Sequence, residues 1–300
     1  MQPLIWESRP DGLRAPALIC AFSGWNDAGD AASAALTFIG ESLGAERFAR
    51  IDAEDFYDFQ STRPQIRLIE REAVDRQGAG AEASKRDILW PSVEIFAARV
   101  PRAPRDLILV QGPEPSMRWR SFCGHIVDLA EALGAQLVVT LGALLADVPH
   151  THPVAMTGLA SDDALVDKLS LAQSTYEGPT GIVGVLHAAC SDAGLPAASL
   201  WSTVPHYVAA APNPKAALAL VRKVEGLVAV SVDATDLENA AGEYERQVSR
   251  AVQSDPEIQA FVERLEQASN VDATPLGPGE LPSGDVIASE FQRFLKQRGP

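Results

Sequence analysis

The stretch ALICAFSGWNDAGDAASAALTFIGESL, residues 17–43, decides the fold. Its first seven residues are apolar almost without a break, as in a strand covered on both faces. A turn rich in Gly and Asn/Asp follows, and then an alanine-rich helix over 28–43. Strand, glycine turn, helix is also the layout of many phosphate sites, where backbone N–H groups at the helix N-terminus face an anion. Here Asp27 and Asp30 place two carboxylates in that first turn, no lysine follows, and GWNDAG does not fit G-x-G-x-x-G. The turn therefore reads as a helix cap in which Asn26 and Asp27 satisfy the orphan donors. Trp25 remains to be explained, since a large aromatic at a tight turn usually covers something.

Working outward, the same texture repeats. Strands are expected at 17–23, 47–51, 66–70, 93–100, 106–111, 136–141, 154–158 and 199–204, with helices at 28–43, 119–133, 181–193 and 214–228. DLILVQ and QLVVTL are continuously apolar. Gly134 and Gly194 fall where two of the helices should end. The alternation implies an α/β fold, a three-layer α/β/α sandwich with a mostly parallel sheet, over residues 1–234. Strands 47–51 and 66–70 lie close enough in sequence to form an antiparallel hairpin at one edge.

After residue 234 strand signals stop. Residues 235–300 read as a helical C-terminal appendage, a candidate lid, with twelve Asp/Glu against six Lys/Arg in 236–300. Ser254 or Asp255 can cap a second helix that starts at Pro256. Residues 268–284 hold three prolines and three glycines and read as an irregular loop. In the following helical stretch Ile287, Phe291, Phe294 and Leu295 share one face.

The net charge of −15 argues against nucleic acid and against anionic membrane surfaces as partners. The first residues show no basic segment followed by a long apolar run, so no signal peptide is expected. No stretch has bilayer-spanning length, and Cys20, Cys123 and Cys190 read as reduced buried thiols, which together suit a cytoplasmic protein.

In a parallel sheet the loops after the strands emerge at one edge, where ligands sit. Those loops carry Trp25, Asn26 and Asp27; Glu114, Arg118 and Trp119; Asp147, His150 and His152; and His206 with Tyr207. Tyr176, Glu177 and Thr180 precede the helix at 181 and can join them. A rim pocket is thus expected around Trp25, Asn26, Asp27, Glu114, Arg118, Asp147, His150, Tyr176, Thr180 and His206. Asp147, His150 and His152 are metal-ligand types, but no second cluster completes a site, so no metal and no cofactor are expected. His187 and Cys190, three apart on a helix, resemble a nucleophile pair in an apolar setting that suits a satisfied core histidine beside a buried thiol. There is no G-x-S-x-G elbow. Glu114 with His150 or His206 is an acid–base pair only if the fold brings them together.

At GWNDAGDAA (24–32), GALLADVPHTHP (142–153), YEGPTGIVGVLH (176–187), SLWSTVPHYVAAAPNPKAALAL (199–220) and AGEYERQV (241–248) the chain resembles the actinobacterial branch of the proteasome assembly chaperone 2 family. The resemblance runs from about residue 4 to 267. It implies a nucleoside-phosphorylase-like α/β/α core, a C-terminal helical segment, self-association with a trimer as one arrangement, and a chaperone-like role toward proteasome subunits or another cytosolic protein. The family pattern has His-Thr-Arg-Pro where this chain has His150-Thr151-His152-Pro153. Some assembly-chaperone relatives end in hydrophobic-Tyr-any and dock between proteasome α-subunits, whereas this sequence ends KQRGP and is not expected to make that contact. The leading expectation is an oligomeric, non-catalytic protein-binding module. The alternative is a phosphorylase-like or hydrolase-like enzyme, or a ligand binder, using the rim pocket.

Overall fold

The computed structural model describes residues 4–74, 80–161, 165, 177–208 and 211–271, with backbone alone for 69–74, 80–85 and 269–271. Its centre is the strand of the opening stretch, β2 (Ala17–Ser23). Ala17, Ile19 and Ala21 face one core, and Leu18, Cys20 and Phe22 face the other, because successive side chains of a strand alternate in direction. Both sets are buried, hence the unbroken apolar run. α1 (Ala31–Ser42) packs on the first face through Ala31, Ala32, Ala35, Leu36 and Ile39.

β2 pairs in parallel with β7 (Leu107–Pro113) and β8 (Leu137–Ala146), and β8 pairs in parallel with β10 (Ala197–Pro205). These four central strands are flanked by antiparallel ones. On one side stand β6 (Val93–Ala98), β3 (Glu46–Ile51) and β1 (Leu4–Trp6), and on the other β9 (Met156–Ala160). The order is β1-β3-β6-β7-β2-β8-β10-β9. α2 (Trp119–Ala132) and α3 (Ile182–Asp192) cover the Leu18/Cys20/Phe22 face. α4 (Pro214–Val228) joins α1 on the other, giving three layers. Gly134 and Gly194 follow α2 and α3 with φ of 67° and 72°, the left-handed conformation that ends helices and that glycine adopts without strain.

One expectation is corrected. Residues 47–51 and 66–70 do not form a hairpin. β3 lies between β1 and β6, where Phe48, Ala49 and Ile51 are buried. Residues 66–70 belong to β4 (Gln65–Val74), which among the described residues pairs only with β5 (Gly80–Leu89), in a separate two-stranded arm. Burial decides the partner: β3 has three apolar residues to cover and takes β6, whose Val93 and Ile95 are also buried. β1 and β5 were absent from the sequence-based expectations.

α5 (Thr235–Gln253) packs on α4, and α6 (Pro256–Val271) packs on α5. Asp255 Oδ1 accepts from the N–H groups of Glu257 and Ile258 at 2.9 and 3.3 Å, so Asp255 is the cap. The end of the chain from residue 272 lies outside the described residues, and with it nearly all of the 268–284 loop, the 287–295 face and the terminal residues. Among the described residues no helix is long and apolar enough to cross a membrane.

Candidate functional site

The expected rim divides into two halves. The first lies at the ends of β2 and β7. Asn26 and Asp27 are buried, and the Asn26 carbonyl accepts from Ala143 N–H of β8 at 2.8 Å. The Asp27 carboxylate accepts from Ala32 N–H at 2.6 Å and from Ser33 N–H and Oγ at 3.2 and 2.5 Å. It therefore caps α1 from five residues upstream, because a 3-10 turn at Ala28–Asp30 intervenes. Burial pushes the pKa of Asp27 up from the ordinary carboxylate value, with the Ser33 and Ala32 donors opposing.

Asn26 does not share the capping of α1. Its Nδ2 donates to Glu114 Oε1 at 2.7 Å, and the same oxygen accepts from Ile182 N–H at 2.9 Å. Glu114, from the loop after β7, thus caps α3 on the opposite face of the sheet, where a negative charge also suits the helix dipole. Asn26 Oδ1 is buried and finds no hydrogen-bond partner among the described residues. It sits so close to Gly181 that a Cβ there would lie 2.2 Å away. Only glycine lets α3 approach Asn26 this closely.

Two of the expected residues near this half point elsewhere. Arg118 pairs with Asp55 at 2.5 Å, both about half exposed. Trp119 Nε1 donates to the Pro115 carbonyl and Tyr57 OH to the Pro113 carbonyl, which anchors the 113–119 loop to its own surroundings. Trp25 is 48% exposed, and Thr180 is exposed just before α3. Tyr176 lies outside the described residues.

The second half lies at the ends of β8 and β10 and engages the C-terminal helices. Buried His150 places Nδ1 2.8 Å from Tyr207 OH and Nε2 3.0 Å from Ser249 Oγ on α5. Its carbonyl accepts from Lys215 Nζ, which also pairs with Glu245 of α5, each at 2.5 Å. Thr151 Oγ1 donates to Glu266 of α6 at 2.6 Å. Phe261 of α6 meets His206 and Tyr207 edge-on, with ring centroids 5.5 and 5.9 Å away. His206 Nδ1 lies 2.8 Å from Asp147 Oδ1, an ion-pair distance without hydrogen-bond alignment. Burial, and then the Lys215 ammonium, lower the pKa of His150 below its ordinary value, while Glu245 and Glu266 act the other way.

Glu114 and the two histidines are therefore committed to different partners, and no hydrogen bond or ion pair joins them among the described residues. Tyr207 was read in the rim loop but not among the expected pocket residues, and Ser249 and Phe261 were not expected at the rim at all. Tyr207 adjoins His206 in sequence, but Ser249 and Phe261 lie on helices whose docking no local pattern announces.

Outside the rim, burial pushes the Cys190 thiol up to about 11 and Cys123 to about 12, with Cys20 also raised well above the ordinary value. These thiols stay protonated at neutral pH, and His187 beside Cys190 has its own pKa lowered by burial. His187 Nδ1 finds no hydrogen-bond partner among the described residues, so this histidine is not the satisfied one expected. Among the described residues no three His, Cys, Asp or Glu form a group able to hold a metal ion.

Two concavities flank the rim. A void of ≈ 20 Å³, enough for about one water, is lined by His150, Asn213, Lys215 and Tyr244 among others. An open groove of ≈ 900 Å³ runs from the ends of β2 and β7 along α1 to Trp90 and Leu237.

No curated protein matches the sequence. Among solved structures, the chain is similar to a PAC2 family protein from Streptomyces avermitilis at 46% identity, covering 82% of this chain and 99% of that one with a TM-score of 0.73. It is also similar to a Mycobacterium tuberculosis proteasome-assembly chaperone homologue at 42% identity, covering 82% and 99% with a TM-score of 0.71. A Pyrococcus furiosus archaeal proteasome activator shares the fold at 18% identity, covering 84% and 99% with a TM-score of 0.62. The PAC2 family model matches residues 21–252, and the chain belongs to the PAC2 family.

Proposed function

We propose that this chain is a non-catalytic protein-binding module of the assembly-chaperone type, cytoplasmic, acting as a homo-oligomer on proteasome subunits or another cytosolic protein. The observation that carries this reading is the commitment of the rim. Asp27 and Glu114 cap helices, and His150 bonds to Ser249 of the first C-terminal helix, so the ionisable groups that suggested chemistry already have structural work. The kinship with a proteasome-assembly chaperone homologue, and the fold shared with an archaeal proteasome activator, support the choice of partner. Crosslinking in native cytosol followed by mass spectrometry tests it. Recovery of a defined protein partner, proteasome subunits foremost, is expected. Recovery of no protein partner would overturn it.

One observation favours the second reading, a small-ligand binder or enzyme. Among the described residues Asn26 Oδ1 is buried without a hydrogen-bond partner, beside Glu114 and next to Asp27. A buried acceptor left unpaired costs about 1–3 kcal/mol, and a ligand donor would relieve it. Under that reading the protein purified from its own cytosol carries a small bound mass, lost on Asn26→Ala.

A further inference from the structure

Helix α6 lies over the strand ends of the main sheet, and its hold there is slight. Of its described side chains only Val262 is buried; Phe261, Leu265 and Glu266 are half-buried, and the others are exposed. An element held by so few buried apolar contacts opens at low free-energy cost. α5 is tied more firmly, since its Glu238, Glu245 and Ser249 bond to Arg222, Lys215 and His150. The PAC2 family model also stops at residue 252, before α6 begins, while it spans the loops that α6 covers.

What α6 covers is organised without it. Tyr207 OH accepts from His150 N–H at 2.7 Å and lies 2.8 Å from His150 Nδ1, so the core fixes this ring. The His206 ring stands edge-on to it at 5.9 Å, with Nδ1 2.8 Å from Asp147 Oδ1. Phe261 of α6 meets both rings edge-on, at 5.5 and 5.9 Å. Beside them Thr151 Oγ1 donates to Glu266 at 2.6 Å. A receptacle already set in place costs an incoming ligand little ordering. The strand ends of a parallel sheet are also where α/β proteins place ligands.

We propose that α6 is a strap, lying in cis on a docking site for a helix of a partner protein. The partner presents an aromatic side chain to His206 and Tyr207 and, five residues on, a carboxylate to Thr151, and it displaces α6. The seated helix is the argument for that chemistry, because Phe261 and Glu266 make these two contacts at that spacing. Swapping α6 between two copies replaces each contact by its equal and gains no free energy, so a separate partner is the occupant that can move it. The inference rests on the protein-binding reading above and gives it a surface.

The test uses the full chain and, as probe, a fluorescein-labelled peptide of residues 255–271. With α6 loosened by Phe261→Ala/Glu266→Ala, the chain should bind the peptide saturably. The parent should bind it at least about tenfold more weakly, because its own α6 competes at high effective concentration. A peptide carrying Phe261→Ala should bind neither chain. Equal binding to parent and variant, or none to the variant, would overturn the inference.

A second measurement leaves Phe261 in place. Thr151→Cys/Glu266→Cys, joined by a short bismaleimide, pins α6 on the site, and the native three cysteines are buried. The pinned chain, at the single-chain mass of 32.0 kDa, should lose the peptide and the protein partner that the unpinned chain recovers from native cytosol. A cross-linked species of twice that mass would put α6 of a second copy on the site and overturn the inference. If the pinned chain captures its partner as well as before, this surface is wrong while the protein-binding reading stands. If the peptide exchanges and no partner is ever captured, the docking site stands and the protein-binding reading falls.

Discussion

The two halves of the strand-end rim look alike in sequence and do different jobs. At β2 and β7 the polar groups turn inward: Asp27 caps a helix on one face of the sheet and Glu114 one on the other, with Asn26 between them. At β8 and β10 they turn outward: His150, Thr151 and Lys215 reach α5 and α6 through Ser249, Glu266 and Glu245. The first half locks the layers of the sandwich, and the second carries an added helix pair. Clustering of ionisable residues at the strand ends of an α/β sheet is thus not by itself an active site.

The comparison breaks first at Gly181. Gly181→Ala drives a methyl group into Asn26 Oδ1, and Asn26 cannot retreat while Glu114 holds its amide. A loss of about 3 kcal/mol in unfolding free energy is expected, read as a lower urea midpoint at unchanged slope. An unchanged midpoint would mean that α3 and Asn26 are not in close register. Glu114→Ala comes next, leaving the Ile182 N–H and the Asn26 amide without their acceptor, at about 2 kcal/mol. Glu114→Gln should recover part of that loss, because an amide oxygen in the place of Oε1 can still accept both donors but without the charge that suits the helix dipole.

On the other half His150→Ala should cost about 1 kcal/mol and act locally. Amide exchange should speed up in 235–271 and stay slow in β2 and β8. The pH dependence has a definite sign. The folded-state pKa of His150 lies below its ordinary 6.5, so the unfolded or undocked chain binds the proton more readily. The stabilisation is complete above about 6.5 and is lost as pH falls through the folded value. Protection factors at pH 5 against pH 7.5, each taken relative to the intrinsic exchange rate at that pH, check this, with lower protection expected in α5 and α6 at pH 5, and His150→Ala should flatten the difference. The smallest effect belongs to Arg118→Ala, which removes a half-exposed ion pair and should stay within about 0.5 kcal/mol.

How much of this was legible in the sequence depended on burial. The strand and helix of residues 17–43 were readable because both faces of β2 are covered and every residue of the helix's inner stripe is small or apolar. The arm was not: β5 reads GAEASKRDIL, and a ribbon outside the core carries little of the alternation that marks a half-buried strand. Asp27 was recognisable as a cap, but the 3-10 turn that shifts its donors to Ala32 and Ser33 was not, so Asn26 was credited with the same role. Glu114 and Ile182 are 68 positions apart, and His150 and Ser249 are 99 apart. Contacts of that range follow from layer packing, which a local pattern does not encode.

Native mass spectrometry of the protein purified gently from its own cytosol tests most directly whether the rim is scaffold and the function protein binding. The account predicts multiples of the 32.0 kDa chain, alone or joined to a second protein, with no small added mass. A persistent small added mass that disappears on Asn26→Ala or Glu114→Ala would contradict it and make the β2–β7 half of the rim a ligand site.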